Sequence, residues 1–336
     1  MIAALLAAVL TTAQPAPPPV LTPYLHGERF DPGDYRWMRG RFDDATPADK
    51  ANWRAVQAWL TACAAGRRKS VLAELGQMGI AQPPLDETPL TGLLCAEVTF
   101  ATPDLPVASF AAFEADLRVA KPVADAYLFA VANADEVATL PDSAPLADRL
   151  LLRPMAEQVL RFALGWGGGE QSAPALTAGQ RAIVLAAVTV AGERADRANT
   201  AWLKAEIVAR GWPSLSRVGE RASRAAWLLV QHADEDPAFQ LRVLRLMTPL
   251  DAAHDLPSGN YAYLYDRVML KLAGKQRYGT QMTCAAGKRV PLPLEDGRVA
   301  DWRRQAGMQP LADYVLTMDQ FGRCPPAPVG ARAPSG

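Results

Sequence analysis

Apolar residues recur at helical spacing along most of this chain, and prolines and glycines cut the pattern into separate segments. In the clearest segment, 47–64, Trp53, Val56, Trp59, Leu60 and Cys63 form one stripe behind the start signal Thr46-Pro47. Similar patterns cover 67–78, 110–120, 124–133 and 147–164, so the first half is expected to be helical throughout. In the second half a long helix is expected from Thr177 to Arg210, closed by Gly211 with Pro213 beyond it. Helices follow at 220–234, from Asp236-Pro237 onward, and at 260–273, where Tyr261, Leu264, Val268 and Leu272 share a face. Segments 276–284 and 289–294 flank Ala285-Ala286-Gly287-Lys288 and read as a hairpin, before two short helices at 299–306 and 311–321. The expected fold class is mainly α, with two helical domains, the second carrying a small antiparallel β-hairpin.

A chain of 336 residues, 50% of them hydrophobic, is long enough to bury two cores. The boundary is expected at 165–174, where Gly165, Gly167, Gly168 and Gly169 lead into Gln171-Ser172-Ala173-Pro174. This run lacks the GxGxxG spacing and the following lysine of a phosphate loop, so it reads as a linker. A helical domain is thus expected over 24–164 and a second domain over 175–324, with a proline-rich, extended lead-in at 14–23 and a disordered tail at 325–336.

Lys plus Arg and Asp plus Glu balance at 35 each, which removes the basic footprint that nucleic-acid binding requires. The first charged side chain is Glu28, and Ile2 to Leu10 form an unbroken apolar run, as in the core of an export signal. Thr11 and Ala13 place small residues at −3 and −1, so cleavage is expected after Ala13, giving a periplasmic or secreted mature protein. Elsewhere no apolar run reaches the roughly 20 residues a membrane helix needs, and no transmembrane anchor is expected in the mature chain.

In an oxidising compartment the four cysteines are expected to form disulfides. Three pairings are formally open. Cys63 and Cys95 lie before the glycine cluster and Cys284 and Cys324 after it, so pairing within each half is expected. The first bridge would close a loop of about 33 residues, worth roughly 3–4 kcal/mol by the chain-entropy argument.

Common catalytic signatures are missing. His26, His232 and His254 belong to no HExxH helix, and there is no GxSxG elbow, no P-loop and no paired CxxC, so neither a metal nor a cofactor is expected. What stands out is polar density in the second half: Gln231-His232-Ala233-Asp234-Glu235-Asp236, then Asp266-Arg267, then Gln276 to Gln281.

Taken with Gly211-Trp212-Pro213, Val218-Gly219, Ala226-Trp227, the run Ala262 to Val268, and an ending that includes Glu295-Asp296, Asp301, Arg303, Arg304 and Tyr314, the order of these motifs resembles a bacterial domain-of-unknown-function family over 196–314. The resemblance implies a shared domain and supplies no reaction.

The candidate site is read from the residues. His232 continues the stripe Ala222, Ala225, Ala226, Leu229 and is either a packed structural histidine or a general base. Gln231, Asp234, Asp266, Arg267, Tyr278, Thr280 and Gln281 are the ligand-binding candidates. Asp266 and Arg267 are helix neighbours that point apart, so each needs a partner elsewhere. Glu295 or Asp296 would clamp Arg267; otherwise its planar fork would hold an anion. The sequence therefore reads as an exported binding or scaffold module whose partner is an envelope protein or a small anionic ligand. The competing reading is an uncommon hydrolase with His232 as base and Arg267 as anion holder.

Export predicts a mature chain that begins at Gln14 and accumulates outside the cytoplasm. Intact-mass measurement on fractionated cells checks it, and full-length protein confined to the cytoplasm would refute both the compartment and the disulfide reasoning.

Overall fold

The computed structural model describes residues 15–27, 29–85, 93–105, 108–168, 174–320 and 324. The expected export segment and C-terminal tail lie outside the described residues. The fold is mainly helical, with two small two-stranded antiparallel sheets, and its described residues divide into two compact units: 15–74 with 93–211, and 75–85 with 212–324.

In the first unit a 3-10 turn, Pro19–Tyr24, precedes β1 (Leu25–His26) and β2 (Arg29–Phe30), which pair antiparallel. A second 3-10 turn, Arg36–Arg41, leads to α1 (Pro47–Gln77), α2 (Leu94–Ala101), α3 (Phe110–Ala138), α4 (Leu146–Leu152), α5 (Met155–Leu164), a 3-10 turn at Gly165–Gly168, and α6 (Ala178–Arg210). Helix α6 packs against α2, α3 and α5. Trp37, Phe110, Phe113, Ile183, Val184 and Val188 are buried together at the centre.

Several sequence expectations change here. The lead-in is not extended: Leu21 is fully buried, and Trp59 Nε1 donates to the Pro15 carbonyl at 2.8 Å, so an apolar side chain and a backbone acceptor draw a proline-rich strand of chain into the core. The first half is not all-helical, because β1 and β2 form a hairpin. Helix α1 runs unbroken through the expected gap at 65–66, and α3 continues past Pro122, which sits on an exposed side. The pattern at 147–164 is interrupted at Arg153-Pro154. Gly165–Gly168 is a 3-10 turn whose Trp166 is buried and meets Tyr127 edge-on at 5.0 Å, the rest of the expected linker, 169–173, lies outside the described residues, and α6 packs within the first unit, which ends at Gly211.

Glu97 is fully buried on α2 and fastens three elements. Its carboxylate accepts from the Phe30 backbone N–H of β2 at 2.7 Å, from Arg194 at 2.7 and 3.0 Å, and from Arg197 at 3.3 Å, both arginines lying on α6. Burial alone would raise its pKa; the two guanidiniums and the N–H outweigh that and hold it below the usual carboxylate range.

The second unit contains α7 (Leu215–Val218), α8 (Glu220–Gln231), α9 (Pro237–Ala252), α10 (Asn260–Ala273), β3 (Met282–Ala285), β4 (Lys288–Pro291), α11 (Val299–Gln305) and α12 (Leu311–Gln320). Asp236 caps α9 by accepting from Phe239 N at 2.9 Å, as its position before Pro237 predicts. Helix α10 packs on α8 and α9, and the end of α1 joins this unit through Arg245, which donates to the Met78 carbonyl at 2.8 Å. The β3–β4 turn places both Ala286 and Gly287 at positive φ, the conformation a two-residue hairpin turn needs.

Cys63 bonds Cys95, joining α1 to α2, and Cys284 bonds Cys324, joining β3 to the segment after α12. Both pairs match the sequence expectation. No helix among the described residues is long and apolar enough to cross a membrane. Replacing Cys63 and Cys95 together by serine is expected to cost about 3 kcal/mol, read as a lower urea midpoint under oxidising conditions that converges on the wild type once both are reduced. Non-reducing peptide mapping of the wild type should return these two pairs and no others.

Candidate functional site

Helix α10 carries the centre of the second unit. Asp266 is fully buried on it and accepts three backbone N–H groups: Arg277 at 2.8 Å and Tyr278 at 2.9 Å on one oxygen, Thr280 at 2.8 Å on the other. Burial raises its pKa, and the three N–H bonds offset that only in part. The loop they hold has no ladder of its own, so the carboxylate takes the place of a neighbouring strand. Gly279 sits in it at φ +67°, and a Cβ there would approach Leu311 Cδ1 to 3.0 Å.

The same loop is held from the other side. Arg303 is buried on α11 and donates to the Tyr278 carbonyl at 2.6 Å and the Gln309 carbonyl at 2.7 Å, while Tyr314 of α12 donates to the Thr280 carbonyl at 3.2 Å. Gln276, also fully buried, donates to the carbonyls of Gln281 and Leu292 and accepts from Gln281 N, which fixes the root of the hairpin.

A second cluster joins the turn after α8 to α10. Asp234 accepts from Arg267 Nη1 at 2.6 Å and Lys271 Nζ at 2.6 Å, and Lys271 also reaches the Asp234 carbonyl at 2.9 Å. Partial burial would raise the carboxyl; the adjacent lysine and arginine outweigh it and hold the pKa down at about 2. Gln240 is fully buried beneath them and donates to the Val230 carbonyl at 2.9 Å.

Arg267 is thus paired with Asp234, not with Glu295 or Asp296. Glu295 accepts from Arg277 and Tyr265, and Asp296 from Arg298, because Arg277 lies over the Tyr265 ring and reaches Glu295 on the opposite side of α10. Asp266, Tyr278 and Thr280 come together as one structural unit. Gln281 joins them through Gln276 and a 3.3 Å bond to Thr280 Oγ1. His232 ends α8 as its half-buried C-cap residue, and the bonds that hold Asp234, Asp266 and Gln281 come from other side chains and from backbone. The sequence reading gave no role to Lys271, Gln240, Gln276, Arg303 or Tyr314. Lys271 had a usable signal, since it stands one turn beyond Arg267 on the same helix face. The first unit adds a carboxyl pair that was also missed: Asp196 is pushed up to about 8 by burial and by Glu157, against the opposing pull of Arg161.

Several buried side-chain atoms in the second unit have no hydrogen-bond partner among the described residues. On α8 these are Ser223 Oγ, Trp227 Nε1 and Gln231 Nε2; on α10, Asn260 Nδ2 and Arg267 Nε; on α11, Arg303 Nη2. Every one of these atoms can donate, and none is an obligatory acceptor. Ser223, Trp227 and Gln231 fall four residues apart on α8, and Asn260, Tyr263 and Arg267 share one side of α10. Trp227 meets Tyr263 edge-on at 6.1 Å, which sets the two rows against each other.

The fold and these clusters define a mainly helical, disulfide-bonded protein with a polar, donor-rich second unit. Residues 177–323, from the N-cap of α6, match the model of a family of unknown function, DUF6624. Neither a curated protein nor a solved structure matches the chain.

Asp266→Ala should leave three buried N–H groups without an acceptor and cost more than about 3 kcal/mol, at roughly 1–3 kcal/mol for each group. Hydrogen exchange checks it: the amides of Arg277, Tyr278 and Thr280 should lose protection first. Asp234 has a folded pKa below its ordinary value of about 4, so its contribution is present above pH 4 and disappears as pH falls toward 2. Asp234→Asn should lower stability at pH 7 and remove that part of the acid sensitivity, measured as urea midpoints between pH 2 and 7.

Proposed function

We propose that this chain is an exported ligand-binding module of the periplasm or extracellular space, with its site along the α8–α10 seam of the second unit. The observation that carries the reading is the surplus of buried donors on those two helices. A native core rarely leaves buried donors unpaired, and five such atoms on two facing helices fit a surface built to be completed by something else. The export-type N-terminus and the two disulfides support the compartment. Arg267, which the hydrolase reading needs to hold an anion, is already paired with Asp234, and Asp266 is engaged by backbone, which favours binding over turnover.

The oxidised full-length protein, screened by thermal unfolding against small anions, sugars and short peptides, is expected to show a saturable rise in midpoint with one class. Nitrophenyl ester and phosphoester substrates, offered in parallel, are expected to stay intact. Hydrolysis abolished by His232→Ala would overturn the binding reading in favour of an enzyme with His232 as general base.

A further inference from the structure

The character of the unpaired groups narrows what the seam can hold. On α8 and α10 they are a hydroxyl, an indole N–H, two carboxamide nitrogens and a guanidinium Nε, and Ser223, Gln231 and Asn260 are each at least nine-tenths buried. A complement to such a set must offer lone pairs. Ammonium groups and other cations offer none, and they would meet Arg267 and Lys271 as like charges.

The rings extend the row to a second guanidinium. Tyr263, packed on Trp227, also meets Tyr314 at 6.1 Å, and the Arg303 guanidinium lies 5.0 Å over the Tyr314 ring. Arg303 is 1% exposed, its Nε and Nη1 hold carbonyls, and no carboxylate among the described residues lies within ion-pair distance of it. Its Nη2 is buried without an acceptor. A buried guanidinium without a carboxylate is the group best matched to an oxyanion, which accepts its planar N–H bonds directly. Trp227 and Tyr263, at the middle of the row, are half-buried.

We infer that the ligand is a small organic oxyanion with a flat or apolar body, its charged oxygens meeting adjacent donors of this row and its body lying against the neighbouring ring. This rests on the seam being the site, as proposed above. Such a site leaves a signature that a water-filled structural network does not: the donors are a burden on the free protein and matter only when the ligand is present.

Benzoate is the probe for an oxyanion on an aromatic body, benzylamine for the same body with a cation, and inorganic phosphate for the oxyanion alone. Benzoate is expected to raise the unfolding midpoint saturably, phosphate less, and benzylamine not at all. Gln231→Met removes a donor while keeping the bulk, and Trp227→Phe removes the indole N–H while keeping an aromatic ring. Each should leave the ligand-free midpoint unchanged or higher and weaken benzoate about tenfold. Arg303→Gln should abolish the response; should that variant fail to fold, the two α8 variants decide. If another ligand class binds and neither oxyanion does, the module stands and the oxyanion inference falls. If none of the three binds the wild type, the oxyanion inference falls, and the module falls with it when the sugars and peptides also leave the midpoint unchanged. Benzoate affinity unchanged in both α8 variants also overturns the inference, because the anion would then be bound elsewhere.

Discussion

The second unit depends on one carboxylate. Asp266 lies in the middle of α10, and the chain it holds, from Arg277 to Thr280, forms no sheet and no helix. Without an acceptor its N–H groups would have to seek water, and the loop would leave the core. With Asp266 in place, Tyr278 and Thr280 are buried and their carbonyls face outward from the helix, where Arg303 and Tyr314 collect them. Two short helices are anchored in this way. The hairpin follows, since Gln276 at one end of the held segment fixes the strands that continue from it.

The first unit solves a similar problem with Glu97. There the irregular segment is the N-terminal hairpin, and the buried carboxylate accepts the Phe30 N–H while Arg194 takes the Phe30 carbonyl at 2.9 Å. The charge is retained at Glu97 because two guanidiniums neutralise it, whereas Asp266 relies on backbone dipoles and sits closer to its neutral form. The consequence is a difference in function as a fastener: Glu97 needs α6 in place, and Asp266 needs only its own loop.

Local signals told the sequence reader a good deal. Helix α6 was legible from Thr177 and Gly211, α9 from Asp236-Pro237, the hairpin from Ala286-Gly287, and both disulfides from the order of the cysteines along the chain. The errors came where tertiary contact overrides local preference. Prolines at 15–23 suggest an extended strand until Leu21 finds a core to enter, and Pro122 suggests a helix end until its helix packs on α6. The candidate site was legible as a set of residues and illegible as a set of bonds. Asp234 and Arg267 stand 33 residues apart, and no spacing rule links them. Arg303 lies in a run that the sequence reading singled out, but its burial comes from the loop carbonyls it holds, which only the folded chain defines.

The disulfides have one more consequence. Each joins cysteines that are consecutive along the chain, first with second and third with fourth. A polypeptide threading into an oxidising space exposes Cys63 and Cys95 before either later thiol arrives, so oxidation on emergence makes the native pairs in order. Proteins whose native bridges interleave have to undo early pairings by thiol exchange; this topology imposes no such step. In an oxidising space both native bridges can therefore close without any reshuffling of earlier ones.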